Sequence, residues 1–398
     1  MENELMRQSR LPRGGENIFM KIRGKRAEAE ASGQTLLDLS IGEPKGPALL
    51  SARLAARDAV MSEDEVMHAY QYNDSAAVPS FSSRFIQAHL NADLPREGLD
   101  YLPISGIKPI LGLLPVACGC ALSAVTVATM TKPGYPIPAD QCAYHINVSH
   151  YALSLNSENA YRFSTEDIAA GTNLVMTNYP HNPSGQIADV AWWRSLCQYC
   201  SDNDIRLFND AAYIALSHSD ECATLSEIAV EFPNLSWAEA FTAAKLIGNG
   251  TGWHVGAMVG SRDFIGDIKE VKGKTDTGFV APMAAGVLAA LETDQAGIDG
   301  YRVMYAERLA VLRDLMADCR MRLAIEPRAG FFTLWDTPTN AFGQAINSGE
   351  QFNFMMIERT GVVGVHFGDA LRYAVCADVV AMADDLRAAF QSADVSYE

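Results

Sequence analysis

Four short apolar runs punctuate the middle of the chain, at residues 125–130, 174–177, 205–208 and 236–241, and longer amphipathic stretches separate them. The runs are too short for helices and lack strict polar alternation, which predicts buried strands. Between them, residues 189–203 place apolar side chains three and four positions apart, the period of a helix lying on a sheet. Strands alternating with helices predict βαβ units and a mostly parallel sheet covered on both faces. In such a sheet ligands gather at the carboxyl ends of the strands.

Residues 109–131 carry no charge, a run long enough by count to span a bilayer. Pro115, Gly112, Gly119 and the β-branched Val125-Thr126-Val127 divide it instead into a helix and a strand. After about residue 293 the rhythm changes. Residues 301–319 predict a long charged helix, 331–335 and 371–376 strands, and 379–390 a closing helix. The expected fold is therefore α/β: a large domain at 48–290 with a mostly parallel central sheet, and a smaller α+β domain from 1–47 and 291–398.

Composition narrows the function. With 398 residues, 48% hydrophobic and 20% charged, the chain can bury a sizeable core in two or three domains. A net charge of −17 argues against nucleic acid and anionic membranes, whose phosphates need a surplus of cations. Eight cysteines are too sparse for a disulfide scaffold, and neither Cys118 with Cys120 nor Cys197 with Cys200 has a matching pair at zinc-site spacing. No metal is expected. Cys197 and Cys200 read as buried helix positions. Residues 1–26 lack the apolar core of a signal peptide, so a reducing cytoplasm is expected.

Three polar clusters end three successive strands: Asn178 to Gly185, Asn209 to Tyr213, and Thr242 to Lys245. Asn182 to Asp210 spans 28 residues and Asp210 to Lys245 spans 35, each close to one βαβ unit of about 30 residues. The spacing predicts Asn182, Asp210 and Lys245 side by side at one sheet edge. A carboxylate there is costly unless it meets a cation, so Asp210 with Lys245 as a structural ion pair is the plain alternative.

From about Leu37 to the C-terminus the chain resembles the class I/II aminotransferases, fold-type I enzymes that use pyridoxal 5′-phosphate. Asn182-Pro183-Ser184-Gly185 resembles the family's Asn-Pro-Thr-Gly turn, Asp210-Ala-Ala-Tyr213 its Asp-x-x-Tyr, and Lys245 with Gly252-Trp253 its lysine and Gly-Trp-Arg segment. The resemblance implies a covalent bond between Lys245 and the cofactor, with the same amine as catalytic base once displaced. It implies Asp210 at the pyridine nitrogen, and Asn182 and Tyr213 at the ring's phenolic oxygen. Ser105-Gly106-Ile107-Lys108 resembles the phosphate-gripping turn, where Gly106, Ile107 and Lys108 are expected, and Thr242 matches a hydroxyl that touches phosphate. Tyr135, in Pro133-Gly134-Tyr135-Pro136, matches the aromatic that stacks on the ring. Gly42 matches the small residue beside the substrate, and Arg372 the arginine for its α-carboxylate, to which a planar fork is suited. Tyr72 resembles the tyrosine that reaches the phosphate of a neighbouring subunit, implying a homodimer with shared sites.

The implied activity exchanges an amino group between an L-amino acid and a 2-oxo acid. A lyase of the same fold, eliminating or ring-forming, is the second reading, since fold does not fix the reaction; a cofactor-binding protein without turnover is the third. The preferred amino acid is not legible. Arg10, Arg13, Lys21, Arg23 and Lys45 read as solvated surface charges, with recognition of an acidic side chain as their alternative.

The chain also departs from the family. Lys245 to Gly252 is one residue longer than usual, and the loop at residues 367–371 before Arg372 is shorter. His254 stands where an arginine usually clamps the phosphate. An arginine keeps its charge, whereas a histidine with an ordinary pKa of about 6.5 loses it near neutrality. Cofactor affinity is therefore expected to fall as pH rises and the histidine loses its charge, and His254→Arg to flatten the dependence. Cofactor dissociation constants across pH for both proteins check this; identical profiles contradict it.

Overall fold

The computed structural model describes residues 18–95, 97–276 and 278–397. Seven strands form the central sheet: β1 (Leu99–Ile104), β2 (Val125–Lys132), β3 (Val148–Ser154), β4 (Leu174–Thr177), β5 (Arg206–Asp210), β6 (Trp237–Thr242) and β7 (Gly256–Ser261). Their order is β1-β7-β6-β5-β4-β2-β3, and β7 alone among them runs antiparallel to its neighbours. Both faces are apolar. Leu174, Met176, Phe208 and Ala240 point into one core, while Val175, Leu207 and Phe241 point into the other. Two-sided burial is why these strands read as continuous apolar runs.

Residues 109–131 divide as expected, into the short helices Ile107–Leu111 and Leu114–Ala117 followed by β2. The helix Val190–Asp202 starts at Asp189, whose carboxylate accepts the Trp192 N–H at 2.9 Å, and it buries Cys197 and Cys200. All eight cysteines are free. Among the described residues no helix is long and apolar enough to cross a membrane, and no group of side chains could hold a metal ion.

Four antiparallel strands make a second sheet: β8 (Leu323–Ile325), β9 (Phe332–Asp336), β10 (Val365–Phe367) and β11 (Ala370–Ala374), in the order β10-β11-β9-β8. The shortened loop before Arg372 is a tight turn between β10 and β11, with Gly368 at φ 60°. The long helix Gln295–Asp318 begins earlier than its charge pattern suggests, capped by Asp294. The closing helix Ala383–Ala393 begins later than expected, because residues 379–382 form a turn. Strands β1, β3 and β7 were not predicted: β1 contains Asp100 and Pro103, β3 is a polar edge strand, and β7 is punctuated by Gly256 and Gly260.

A buried polar knot sets the height of the strand ends. Glu239 on β6 is fully buried and accepts hydrogen bonds from Asn209 Nδ2 at 2.7 Å and from the N–H groups of Leu225 and Ser226 at 3.1 and 2.7 Å. Asn209 on β5 in turn accepts the Tyr179 N–H at 3.0 Å and donates to the Tyr179 carbonyl at 3.0 Å. Three strand ends and the loop that carries Asn182 thereby share one network. Removing the carboxylate strands several buried donors, each costing about 1–3 kcal/mol. Glu239→Ala should thus cost about 3 kcal/mol in urea unfolding. Glu231→Ala, which breaks the exposed pair with Arg194, should leave stability nearly unchanged. Equal losses contradict this account.

Candidate active site

The carboxyl ends of β4, β5 and β6 open into a cavity of about 780 Å³ between the two sheets. Thr177 pairs with Asn209 and Asp210 with Ala240, so the three ends are level. Each predicted residue can then be located. Gly42, Gly106, Ile107, Lys108, Tyr135, Asn182, Asp210, Tyr213, Thr242, Lys245, His254 and Arg372 all line this cavity. Tyr72 does not. It is 63% exposed, beside Tyr70, and a single chain gives it no route to this site.

Lys245 closes a single turn, Ala243–Lys245, that follows β6 directly. Thr242 Oγ1 caps that turn by accepting the Ala244 N–H at 3.2 Å. Burial lowers the Lys245 pKa below its ordinary value, and the negative charge of Asp210 opposes the shift. The ammonium lies 5.8 Å from the centre of the Tyr213 ring. Tyr213 is wedged edge-on against Phe331 and Phe332, with ring centres 5.5 and 5.4 Å away, and burial holds its hydroxyl protonated.

Asp210 ends β5. Its Oδ1 accepts the Ala212 N–H at 3.0 Å, and among the described residues no donor meets Oδ2. Burial raises its pKa to about 6, against the pull of that hydrogen bond and of the Lys245 charge. A carboxylate so placed is completed by a cationic donor in the cavity.

One chain of contacts crosses between the sheets. Arg372 on β11 donates through Nη1 to Asn182 Oδ1 at 2.9 Å and through Nη2 to the Ser40 carbonyl at 2.7 Å. The Asn182 N–H donates to Asn178 Oδ1 at 3.0 Å, and Asn178 Nδ2 donates to the Asp210 carbonyl at 2.9 Å. Asn178 was not singled out from the sequence; its position directly after β4 was the available signal. Arg372 is 3% exposed, stacks 4.4 Å from the centre of the Phe332 ring, and has a buried Nε without a partner. Burial brings its pKa down to about 10, with the guanidinium still charged near neutrality. The 182–185 turn is pinned as well: Arg328 and Ala329 donate their N–H groups to the Gly185 carbonyl at 2.9 Å.

Gly106, at φ 98°, turns the chain into the helix Ile107–Leu111. His254, also left-handed at φ 55°, brings Nδ1 to 3.3 Å from the Ser105 carbonyl. The histidine and the glycine turn thus meet at one end of the cavity. At Gly42, an added Cβ would lie 2.7 Å from Phe332 Cζ, so packing against the substrate-side wall requires glycine there. Of the early basic residues, Lys21 binds Glu350 at 2.8 Å and Lys45 is exposed, while Arg23 lines the cavity. Arg10 and Arg13 lie outside the described residues.

Residues 34–379 match the family described as aminotransferase class I and II. The chain belongs to that family. It is 25% identical to the LL-diaminopimelate aminotransferase of Syntrophobacter fumaroxidans, over 87% of this chain and 86% of that protein. It is 23% identical to the enzyme of the same name from Dehalococcoides mccartyi strain 195, over 87% and 86%. Its fold superposes on substrate-bound BacF from Bacillus subtilis with a TM-score of 0.81, at 19% identity, over 98% and 99% of the two chains. The aspartate aminotransferase from Thermus thermophilus with maleate gives 0.76, at 19% identity, over 95% and 96%. The protein is accordingly a pyridoxal-phosphate-dependent aminotransferase of fold type I. The lyase and non-catalytic alternatives are not favoured.

Asp210, partly buried and poorly solvated, carries a stability cost when no cofactor is bound. A raised folded-state pKa means that the folded state holds its proton longer than the unfolded chain, so stability falls as pH rises from about 4 to about 6. Asp210→Asn should flatten this slope in cofactor-free protein and stabilise it above pH 6 by about 1–3 kcal/mol. Urea unfolding at pH 4, 5, 6 and 7 checks it; a less stable variant at pH 7 contradicts it.

Proposed function

We propose that the cavity residues divide the transamination as follows. Pyridoxal phosphate supplies an aldehyde that takes up an amine and a ring that accepts electrons from the substrate Cα. Lys245 holds the cofactor covalently through Nζ. Released from that bond, the Lys245 amine, its pKa lowered by burial, would take the substrate's α-proton and pass it to C4′ of the cofactor. Asp210, with Oδ2 open to the cavity, binds the ring nitrogen and keeps its proton on. Asn182 and Tyr213 hold the phenolic oxygen, and Tyr135 covers one ring face. Gly106, Ile107, Lys108, Thr242 and His254 grip the phosphate, with backbone donors and two basic side chains. Arg372 orients the substrate by its α-carboxylate, which would satisfy its unpartnered Nε or replace an existing contact.

The observation that carries this assignment is the charge inside the cavity. Five lysine and arginine residues and a single carboxylate, Asp210, line it, one of the five, Arg26, pairing with Asp38, in a chain with net charge −17. A phosphate and a carboxylate from cofactor and substrate balance that surplus.

We further read the enzyme as a homodimer in which the exposed Tyr72 completes the partner's phosphate site, and as cytoplasmic, in keeping with eight free cysteines. For the boundary at 48–290, Trp335, Leu371 and Tyr373 of the second sheet lie in a core apart from that of the central sheet, although Leu334 packs into the central one. LL-diaminopimelate is the first amino donor to try, because similar enzymes carry its name.

The colour of the bound cofactor, near about 420 nm, reports turnover. An amino donor should bleach it and a 2-oxo acid should restore it. Lys245→Ala should slow both halves by at least about a hundredfold. Bleaching without recovery, with ammonia or a cyclised product released, contradicts transfer.

A further inference from the structure

The two acceptors that hold Arg372 differ in kind. Asn182 is a side chain on the cofactor side of the cavity, whereas the second acceptor is the backbone carbonyl of Ser40, at 2.7 Å. Whatever aims that carbonyl also sets the tilt of the guanidinium. Regular structure does not aim it. The two-residue strand Leu37–Asp38 pairs with Val362–Val363. Leu39 is then held on both sides, its N–H donating to the Val363 carbonyl at 2.9 Å and its carbonyl accepting the Ala374 N–H at 2.7 Å. At Ser40 the pairing ends: among the described residues its backbone groups meet no other backbone group.

A side chain does this instead. Asp38 Oδ1 accepts the Ser40 N–H at 3.0 Å and the Ser40 hydroxyl at 2.6 Å. Holding both fixes the Cα frame from which the buried Ser40 extends its carbonyl toward Arg372. Asp38 Oδ2 meets Arg26 Nη2 at 3.0 Å. Arg26 extends from the helix Ile18–Ala31, whose Ile22 and Ala29 are buried against Ile357, Val363 and Val365. The two carboxylate oxygens thus have separate tasks: one shapes the segment beside the substrate, and the other neutralises a cation on the cavity wall. Ser40, Ile41 and Gly42 line the cavity, and Asp38 does not. Its influence on a substrate therefore runs through Ser40.

We propose that Asp38 is a positioning residue for the substrate's α-carboxylate, acting through the Ser40 carbonyl on the guanidinium of Arg372. The proposal rests on the assignment of Arg372 to that carboxylate. A planar fork meets a carboxylate with two parallel bonds only when its plane is correctly turned. Asn182 and Ser40 set that plane from two sides. A charged acceptor suits the task, because hydrogen bonds to a carboxylate are stronger than those to a neutral group.

The test uses the holoenzyme, with L-glutamate and LL-diaminopimelate as donors, and follows cofactor bleaching in single turnovers. Losing an interaction that binds ground state and transition state alike raises the half-saturating donor concentration and spares the saturating rate. Asp38→Ala should raise that concentration about tenfold, with the saturating rate and the cofactor dissociation constant kept within about twofold. Asp38→Asn keeps an acceptor oxygen for Ser40 and should recover most of the loss. Ser40→Ala removes only the hydroxyl bond and should raise half-saturation about threefold, which keeps the test decisive should Asp38→Ala fail to fold. In an Arg372→Lys background the effect of Asp38→Ala should shrink to within about twofold, because the residue it acts through is gone. Calorimetry gives a readout without turnover: Asp38→Ala should weaken glutarate, which carries carboxylates and no amine, about tenfold. Half-saturation left unchanged by these variants, an equal loss in the Arg372→Lys background, or a matching loss of cofactor affinity overturns the role of Asp38 and leaves the aminotransferase assignment standing. A holoenzyme that neither donor bleaches overturns both.

Discussion

A lysine reacts as a nucleophile or a base only after it loses its proton, and the surroundings of Lys245 bear on that requirement. Burial disfavours its ammonium form, the Asp210 charge restrains the effect, and the turn capped by Thr242 keeps the amine at the end of β6. The balance is struck in a cavity where basic groups outnumber acidic ones, although the chain as a whole is strongly acidic. Surface charge and site charge therefore have opposite signs. Anionic ligands are favoured only where the walls concentrate the cations.

The second sheet matters because a parallel sheet edge alone supplies only one side of a site. Arg372 enters from β11, and its contacts run through Asn182 and Asn178 to Asp210. A polar chain of this kind ties the substrate-orienting group to the residue assigned to the ring nitrogen. Beneath it, Glu239 and Asn209 keep the strand ends level. Positions that never touch a ligand thus set where those that do are held.

Much of this was legible in the sequence. Strands β2, β4, β5 and β6 announced themselves because both of their faces are buried, and polar clusters at their ends marked the cavity. Strands β1 and β3 and the antiparallel β7 were not legible, since Pro103, a polar edge and two glycines weaken the signals that periodicity supplies. Arg23 read as a solvated charge, and it is exposed as well as lining the cavity. Gly42 was read as making room for substrate, and the structure adds a packing reason, the Phe332 ring. Tyr72, matched to a cross-subunit contact by resemblance alone, is exposed and lies away from the cavity of its own chain.

The central claim concerns one covalent bond. Treating the cofactor-loaded enzyme with borohydride and mapping its peptides by mass should place the reduced pyridoxyl group on the ε-nitrogen of Lys245 and on no other lysine. A label on a different residue, or none on folded protein supplied with the aldehyde, contradicts it.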